Sequence, residues 1–218
     1  MSGVKVIITG ATGMVGEGVL FECLQNPKVS EVLIVNRRRY EMSHPKVKEL
    51  IVPDFLQIAN FADNLHRYDA CFFCAGISSV GMKEDKFTRI TYDTTMAVAK
   101  ALLAVNNEMV FTYVSGAHTD SSEKGRLMWA RVKGKTENDL SKLGFKGEYN
   151  FRPGLMQPFP DQKNWKSVYK IIVKLIKAIS PKNVITMHEL GLAMINTVTI
   201  GYSKKILEIR DIKELAKA

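Results

Sequence analysis

Cysteine is scarce in this chain, with only three residues, Cys23, Cys71 and Cys74. An odd number in apolar settings excludes a disulfide framework and points to reduced thiols, as expected of a cytoplasmic protein. Cys71 and Cys74 have redox-motif spacing, but Phe72 and Phe73 between them read as a buried strand, where a thiol packs rather than reacts. Long apolar runs are missing too. None reaches the length of a membrane span, and the first residues read as a strand rather than a signal peptide. There is no low-complexity tract, internal repeat or long linker, and no metal site is expected. Acidic residues are in deficit, 22 Asp/Glu against 31 Lys/Arg, for a formal charge of +9.

What is present suits one α/β domain, 46% hydrophobic and 24% charged over 218 residues, long enough to bury a real core. The chain is organised around its first twenty residues. Val4, Val6, Ile7 and Ile8 form a β-branched run of the kind buried on both faces of a parallel sheet. The run meets Gly10, Gly13 and Gly16, and a helical pattern follows through Val15, Val19, Leu20, Cys23 and Leu24. A strand feeding a glycine turn and then a helix aims unpaired backbone N–H groups at one point, which suits a pyrophosphate. Gly10, Thr12, Gly13, Met14 and Val15 are therefore candidate cofactor contacts, and Gly16 would pack helix against strand. A plain structural turn is the alternative reading of the same glycines.

A second strand, Glu31–Val35, ends at Asn36-Arg37-Arg38-Arg39. Folds that prefer NAD place an acidic residue near this point, and none is here. Guanidinium groups bind a 2′-phosphate that a carboxylate would repel, so NADP(H) is expected, with Arg37 first and Arg38 second. A solvated basic turn would look the same. A third strand covers Val47–Val52 and a helix Ile58–Leu65; a fourth strand, Asp69–Cys74, delivers Ala75 and Gly76, small enough for backbone to lie against a ribose or phosphate. Phe87–Val105 has helical periodicity, Met109–Val114 reads as a fifth strand leading to Ser115, and Ser121–Leu143 reads as a further helix.

The spacing Gly10-x-x-Gly13-x-x-Gly16, Ser115 after the fifth strand, Lys133-Gly134 with Glu137 nearby, and Arg152-Pro153-Gly154 together resemble the atypical short-chain dehydrogenase/reductase family. The likeness is to its Tat-interacting-protein-like and NmrA-like branch and to related epimerases and dehydratases, over residues 3–154. It implies a doubly wound parallel Rossmann sheet (core 1–154) and a small substrate-side lobe (155–218) within one domain. It also implies that Asp54 contacts adenine, with a helix cap as the other reading. Ser115 would steady a substrate oxygen, and Lys133 would hold the nicotinamide ribose. The family's acid/base tyrosine should stand four residues before that lysine, and here the residue is Trp129. An indole N–H donates a hydrogen bond but shuttles no proton near neutral pH. His118 is the candidate substitute, against a polar loop histidine, with Tyr92, Tyr113 and Tyr149 less well placed. The expected function is an NADP(H)-dependent oxidoreductase of a small carbonyl-type metabolite; the alternative is a non-catalytic NADP(H) sensor.

From Gln162 onward eleven Lys/Arg face four Asp/Glu. Lys163, Lys166, Lys170, Lys174 and Lys177 recur at steps of three and four, opposite Val168, Ile171, Ile172, Leu175, Ile176 and Ile179. Such a stripe could meet an acidic partner, an anionic membrane surface or nucleic acid, though it is more often the wet face of a core-packed helix. No base-reading motif supports nucleic acid. His188–Val198 reads as a helix and Lys205–Ile209 as a strand, with Asp211 expected to cap a last short helix.

Overall fold

In strand β1 (Val4–Thr9), Val6 and Ile8 enter one hydrophobic core and Ile7 the other. All three are essentially inaccessible, which is why the run is apolar throughout rather than alternating. These coordinates are a computed structural model, which describes residues 3–163, 173, 176, 180 and 183–218. Around β1 lie β2 (Val29–Asn36), β3 (Val47–Ile51), β4 (Ala70–Phe73), β5 (Val110–Val114) and β6 (Gly147–Arg152). Leu155–Gln157, Val184–Thr186 and Ile206–Glu208 form β7, β8 and β9. The main sheet runs β3-β2-β1-β4-β5-β6-β9, every neighbouring pair parallel. This is the doubly wound order the sequence predicts. The chain reverses its winding between β1 and β4, and that switch point opens a crevice at the carboxyl ends of the strands.

Helices cover both faces. On one, α1 (Met14–Gln25) and α5 (Met187–Thr199) share a core through Val19, Leu20, Cys23, Leu190 and Met194. His188 Nδ1 also lies 2.6 Å from the buried Glu22 carboxylate. On the other, α3 (Thr94–Val105) and the end of α4 (Met128–Leu140) cover Phe73, Phe111 and Tyr113. A short α2 (Glu84–Thr88) and a π-helical turn, Arg89–Asp93, precede α3. In the described C-terminal part, β9 extends the main sheet beside β6, while β7 and β8 pair with each other.

Several boundaries differ from the sequence reading. The fourth-helix pattern begins at Met128, not Ser121, because the Asp120 carboxylate captures Ser122 N at 3.0 Å and Gly125 N at 2.6 Å and folds the intervening residues into turns. The segment after Asp54 is 3-10 helix over Phe55–Asn64. Asp211 does not occupy the cap of the last helix, α6 (Ile209–Leu215). Glu208 does, and Asp211 sits three residues on, accepting from Glu208 N at 3.1 Å. Of the lysine stripe, Lys163 is exposed and the other four lie outside the described residues.

Candidate dinucleotide and active site

Gly10 ends β1 with φ +73°, a left-handed conformation that turns the chain into α1. A side chain at Gly16 would place its Cβ 2.2 Å from Gly10 O, so only glycine lets the first helical turn sit this close to the strand end. The first N–H groups of α1, including those of Met14 and Val15, have no acceptor within the helix. Beside that turn is a cleft of about 840 Å³ lined by Gly10, Thr12, Gly13, Arg37, Arg38, Arg39, Cys74, Ala75 and Gly76; Met14 and Val15 are not on its wall. Nothing would lie within 4 Å of a Cβ at Gly76, so the wall there is bare backbone. Ala75 is fixed by its N–H to Thr9 Oγ1 at 3.2 Å.

The arginine turn is exposed, and among the described residues Arg37 and Arg38 form no hydrogen bond or ion pair. Their backbone is held from below. Glu49 on β3 accepts from Asn36 Nδ2 at 3.2 Å and from Tyr40 N at 2.7 Å, which pins both ends of Arg37–Arg39. The Glu49 carboxylate is thereby engaged. A smaller recess of about 320 Å³ continues beside Arg37, lined by Asp54, Phe55, Ala75, Gly76, Ile77 and Arg89. Asp54 lies on that wall and is also a cap: its Oδ1 accepts from Leu56 N at 3.0 Å. The sequence reading missed Arg89, placed here by the π-helical turn.

Ser115 lies just past β5, and Ser115 N donates to Phe151 O at 2.9 Å, which aligns the two strand ends. Helix α4 grips it from above with residues four apart on one face. Trp129 covers Gly116, with Cζ3 3.8 Å from the position of a Cβ there. Lys133 Nζ donates to the Ser115 carbonyl oxygen. Burial, offset in part by the Glu137 charge, holds the Lys133 ammonium down at about 8. Glu137 takes the Ser115 hydroxyl proton in a hydrogen bond. Arg152 in turn clasps Glu137 with Nη2 at 2.5 Å and Nε at 3.1 and 3.2 Å, and donates to Ser121 Oγ at 2.6 Å. Both charges are buried, with side-chain exposures of 1% for Glu137 and 10% for Arg152. The helix comes this close because residue 134 is glycine; a Cβ there would stand 1.8 Å from Asp120 O.

The predicted residues thus fall into two groups: the glycine turn, Arg37, Arg38, Ala75 and Gly76 in the cleft, with Asp54 beside it, and Ser115 with Lys133 under α4. His118 joins neither. It is exposed on left-handed backbone (φ 66°) and lines a separate cavity of about 1390 Å³ with Arg152, Leu155, Glu208 and Arg210. The tyrosines are spent elsewhere. Tyr92 OH donates to Asp139 at 2.8 Å, Tyr113 is wholly buried, and Tyr149 OH accepts from Tyr202 N at 3.2 Å. Glu137 and Arg152 are the pair that motif reading did not single out as site residues. The available signal was Glu137 standing one helical turn beyond Lys133.

A parallel sheet in this order, with a glycine turn at its switch point and a serine and lysine facing one another past β5, defines an atypical short-chain dehydrogenase/reductase. The chain belongs to the NAD dependent epimerase/dehydratase family, whose profile matches residues 6–124. It is 28% identical over 159 residues to Protein HTATIP2 of Rattus norvegicus, covering 72% of this chain and 64% of the relative. It is 25% identical over 159 residues to Protein fmp52, mitochondrial, of Emericella nidulans, covering 70% and 66%. The chain therefore spans just under two-thirds of the length of these curated relatives. Among solved structures, the Helicobacter pylori ADP-L-glycero-D-manno-heptose-6-epimerase superposes with a TM-score of 0.70 at 14% identity, over 99% of this chain and 81% of that one. That likeness is one of fold.

Proposed function

We propose that this chain binds NADP(H) and is an oxidoreductase acting on the carbonyl or alcohol group of a small metabolite. The observation that carries the reading is the cleft at the end of β1, where the glycine turn, bare glycine backbone and two guanidinium groups without a partner among the described residues face one space. These residues fit a phosphorylated dinucleotide: the α1 amides suit its pyrophosphate, Arg37 and Arg38 a 2′-phosphate, and Asp54 or Arg89 the adenine side. Lys133 would exchange its bond to the Ser115 carbonyl for the nicotinamide ribose. The bound nicotinamide supplies or accepts hydride. The test is calorimetry with all four cofactor forms. NADP(H) should bind at least about tenfold more tightly than NAD(H), and Arg37→Ala should erase the difference. Equal or tighter NAD(H) binding would refute the preference, and no binding of any form would refute the reading.

A second reading, a non-catalytic NADP(H) sensor, draws on one observation. Trp129 stands four residues before Lys133, where the family resemblance puts a phenol, and the hydroxyls of Tyr92 and Tyr149 are bonded elsewhere. Tight binding without turnover across a panel of carbonyls and alcohols would favour it. Among the described residues no helix is long and apolar enough to cross a membrane. Three free thiols suit a reducing compartment, either the expected cytoplasm or the mitochondrion that the fmp52 name specifies for that relative.

A further inference from the structure

Ser115 has one hydroxyl proton and two acceptors within reach: the Glu137 carboxylate and, at 3.2 Å, the Phe151 carbonyl. The carboxylate is nearer and charged, so the proton points inward to Glu137. Arg152 pairs with that carboxylate and fixes it, and the whole group is buried. The serine oxygen then offers only lone pairs to a molecule above it. A carbonyl oxygen placed there meets another acceptor and stays unsatisfied. A hydroxyl group placed there donates and is satisfied.

Resting on the oxidoreductase reading, we propose that Glu137, held by Arg152, sets Ser115 as a hydrogen-bond acceptor, so that the protein takes alcohols and oxidises them, with Glu137 receiving the proton through Ser115. In the step, the substrate O–H bond breaks and its proton joins Ser115 Oγ, while the serine proton passes to Glu137. The electron pair of the substrate C–H bond leaves as hydride to the oxidised dinucleotide, and the carbonyl product is released. The carboxylate does from inside the protein what the missing phenol would do from the cleft. Because it acts through Ser115, Glu137 is a positioning residue.

The experiment uses the full chain saturated with NADP+ and matched pairs of secondary alcohols and ketones with the same carbon skeleton. Calorimetry should show the alcohol of each pair binding at least about tenfold more tightly, and Ser115→Ala should abolish that preference. Glu137→Gln should leave NADP+ affinity unchanged and cut alcohol oxidation by about a hundredfold or more, in kcat rather than in KM. If that variant fails to fold because Arg152 is left buried and unpaired, E137Q/R152M removes both charges and gives the same readouts. Ketone preference, no preference, or either variant oxidising alcohols at the parental rate would overturn the proposal. Failure of NADP(H) to bind the parent protein would instead remove the underlying reading, so the two failures are distinguishable.

Discussion

Glu148 is expected to make this fold less stable as the solution is made alkaline. Its side chain is carried by β6 with a residue exposure of 4%, and among the described residues neither carboxylate oxygen has a hydrogen-bond partner. Burial is the main cause that pushes its carboxyl up from 4.5 to about 7; the Lys205 charge and the neighbouring Asn150 side chain oppose the shift and the Glu137 charge adds to it. The sign follows directly. A carboxyl that holds its proton more tightly folded than unfolded contributes stability that is complete below about pH 4.5, fades as pH rises, and is gone above about pH 7. At about 1.4 kcal/mol per unit, the difference between the two limits is roughly 3 kcal/mol. Glu148→Gln is neutral at every pH and nearly isosteric, so it escapes this loss. At about pH 8 it should be more stable than the parent by roughly 2 kcal/mol, allowing about 1 kcal/mol for an imperfectly bonded amide. At about pH 4.5 the two proteins should converge or the order reverse. Urea unfolding at several pH values, followed by the fluorescence of the two tryptophans, measures both curves. A stability difference that stays constant between about pH 4.5 and 8 would refute the account, since it would mean that Glu148 does not titrate with folding.

Arg152→Met should leave Glu137 buried without its partner and cost about 3–5 kcal/mol in urea unfolding, while E137Q/R152M should recover most of that loss. Lys133, held down at about 8, should carry its charge to bound cofactor below that pH and lose it above. NADPH affinity measured by calorimetry should therefore fall above about pH 8 in the parent and stay flat with Lys133→Met. Gly16→Ala forces a methyl to 2.2 Å from Gly10 O, and α1 must move off the strand end. The expected result is loss of cofactor binding along with a lower melting temperature, and unchanged binding would refute the need for close packing there.

The parts of the fold that were legible from residues alone are those whose cause is local. The β1 run is apolar because both faces are covered, and Gly10 and Gly16 follow from a left-handed turn and a backbone contact within six residues. Both signals lie inside one window of sequence. The late start of α4 escaped because helical periodicity says nothing about a carboxylate that bonds the backbone two and five residues ahead; Asp120 wins Ser121–Leu127 for turns by that competition. The cap at α6 slipped for a similar reason, since a capping box distributes its two bonds between Glu208 and Asp211. In the candidate site, Ser115 and Lys133 were visible through their spacing to the strand and helix. Glu137 and Arg152 were not, because their pairing depends on how α4 lies across the ends of β5 and β6. Glu148 carried no signal at all, because burial of a charged residue in β6 depends on the assembled sheet and not on its neighbours in sequence.

On the reading proposed above, the same geometry lets a carboxylate stand in where the family resemblance puts a phenol. Trp129, Lys133 and Glu137 occupy successive turns of one helical face, and each meets the segment Ser115–Gly116 at a different group: the glycine backbone, the serine carbonyl and the serine hydroxyl. A phenol at the first of these positions would reach the substrate from the cleft side. The carboxylate at the third reaches it from the interior, through the serine. The two arrangements make different demands on the fold. A phenol needs only a neighbouring cation, whereas a buried carboxylate is tolerable only if a second buried charge is fixed beside it. Arg152 meets that demand from β6, and the Phe151–Ser115 and Pro153–Ala117 backbone bonds hold its strand in register with the serine. If Ser115 draws its chemistry from Glu137, then restoring the phenol with Trp129→Tyr while keeping Glu137→Gln should return part of the lost alcohol oxidation. If Ser115 acts alone, the tyrosine should add nothing to the E137Q background.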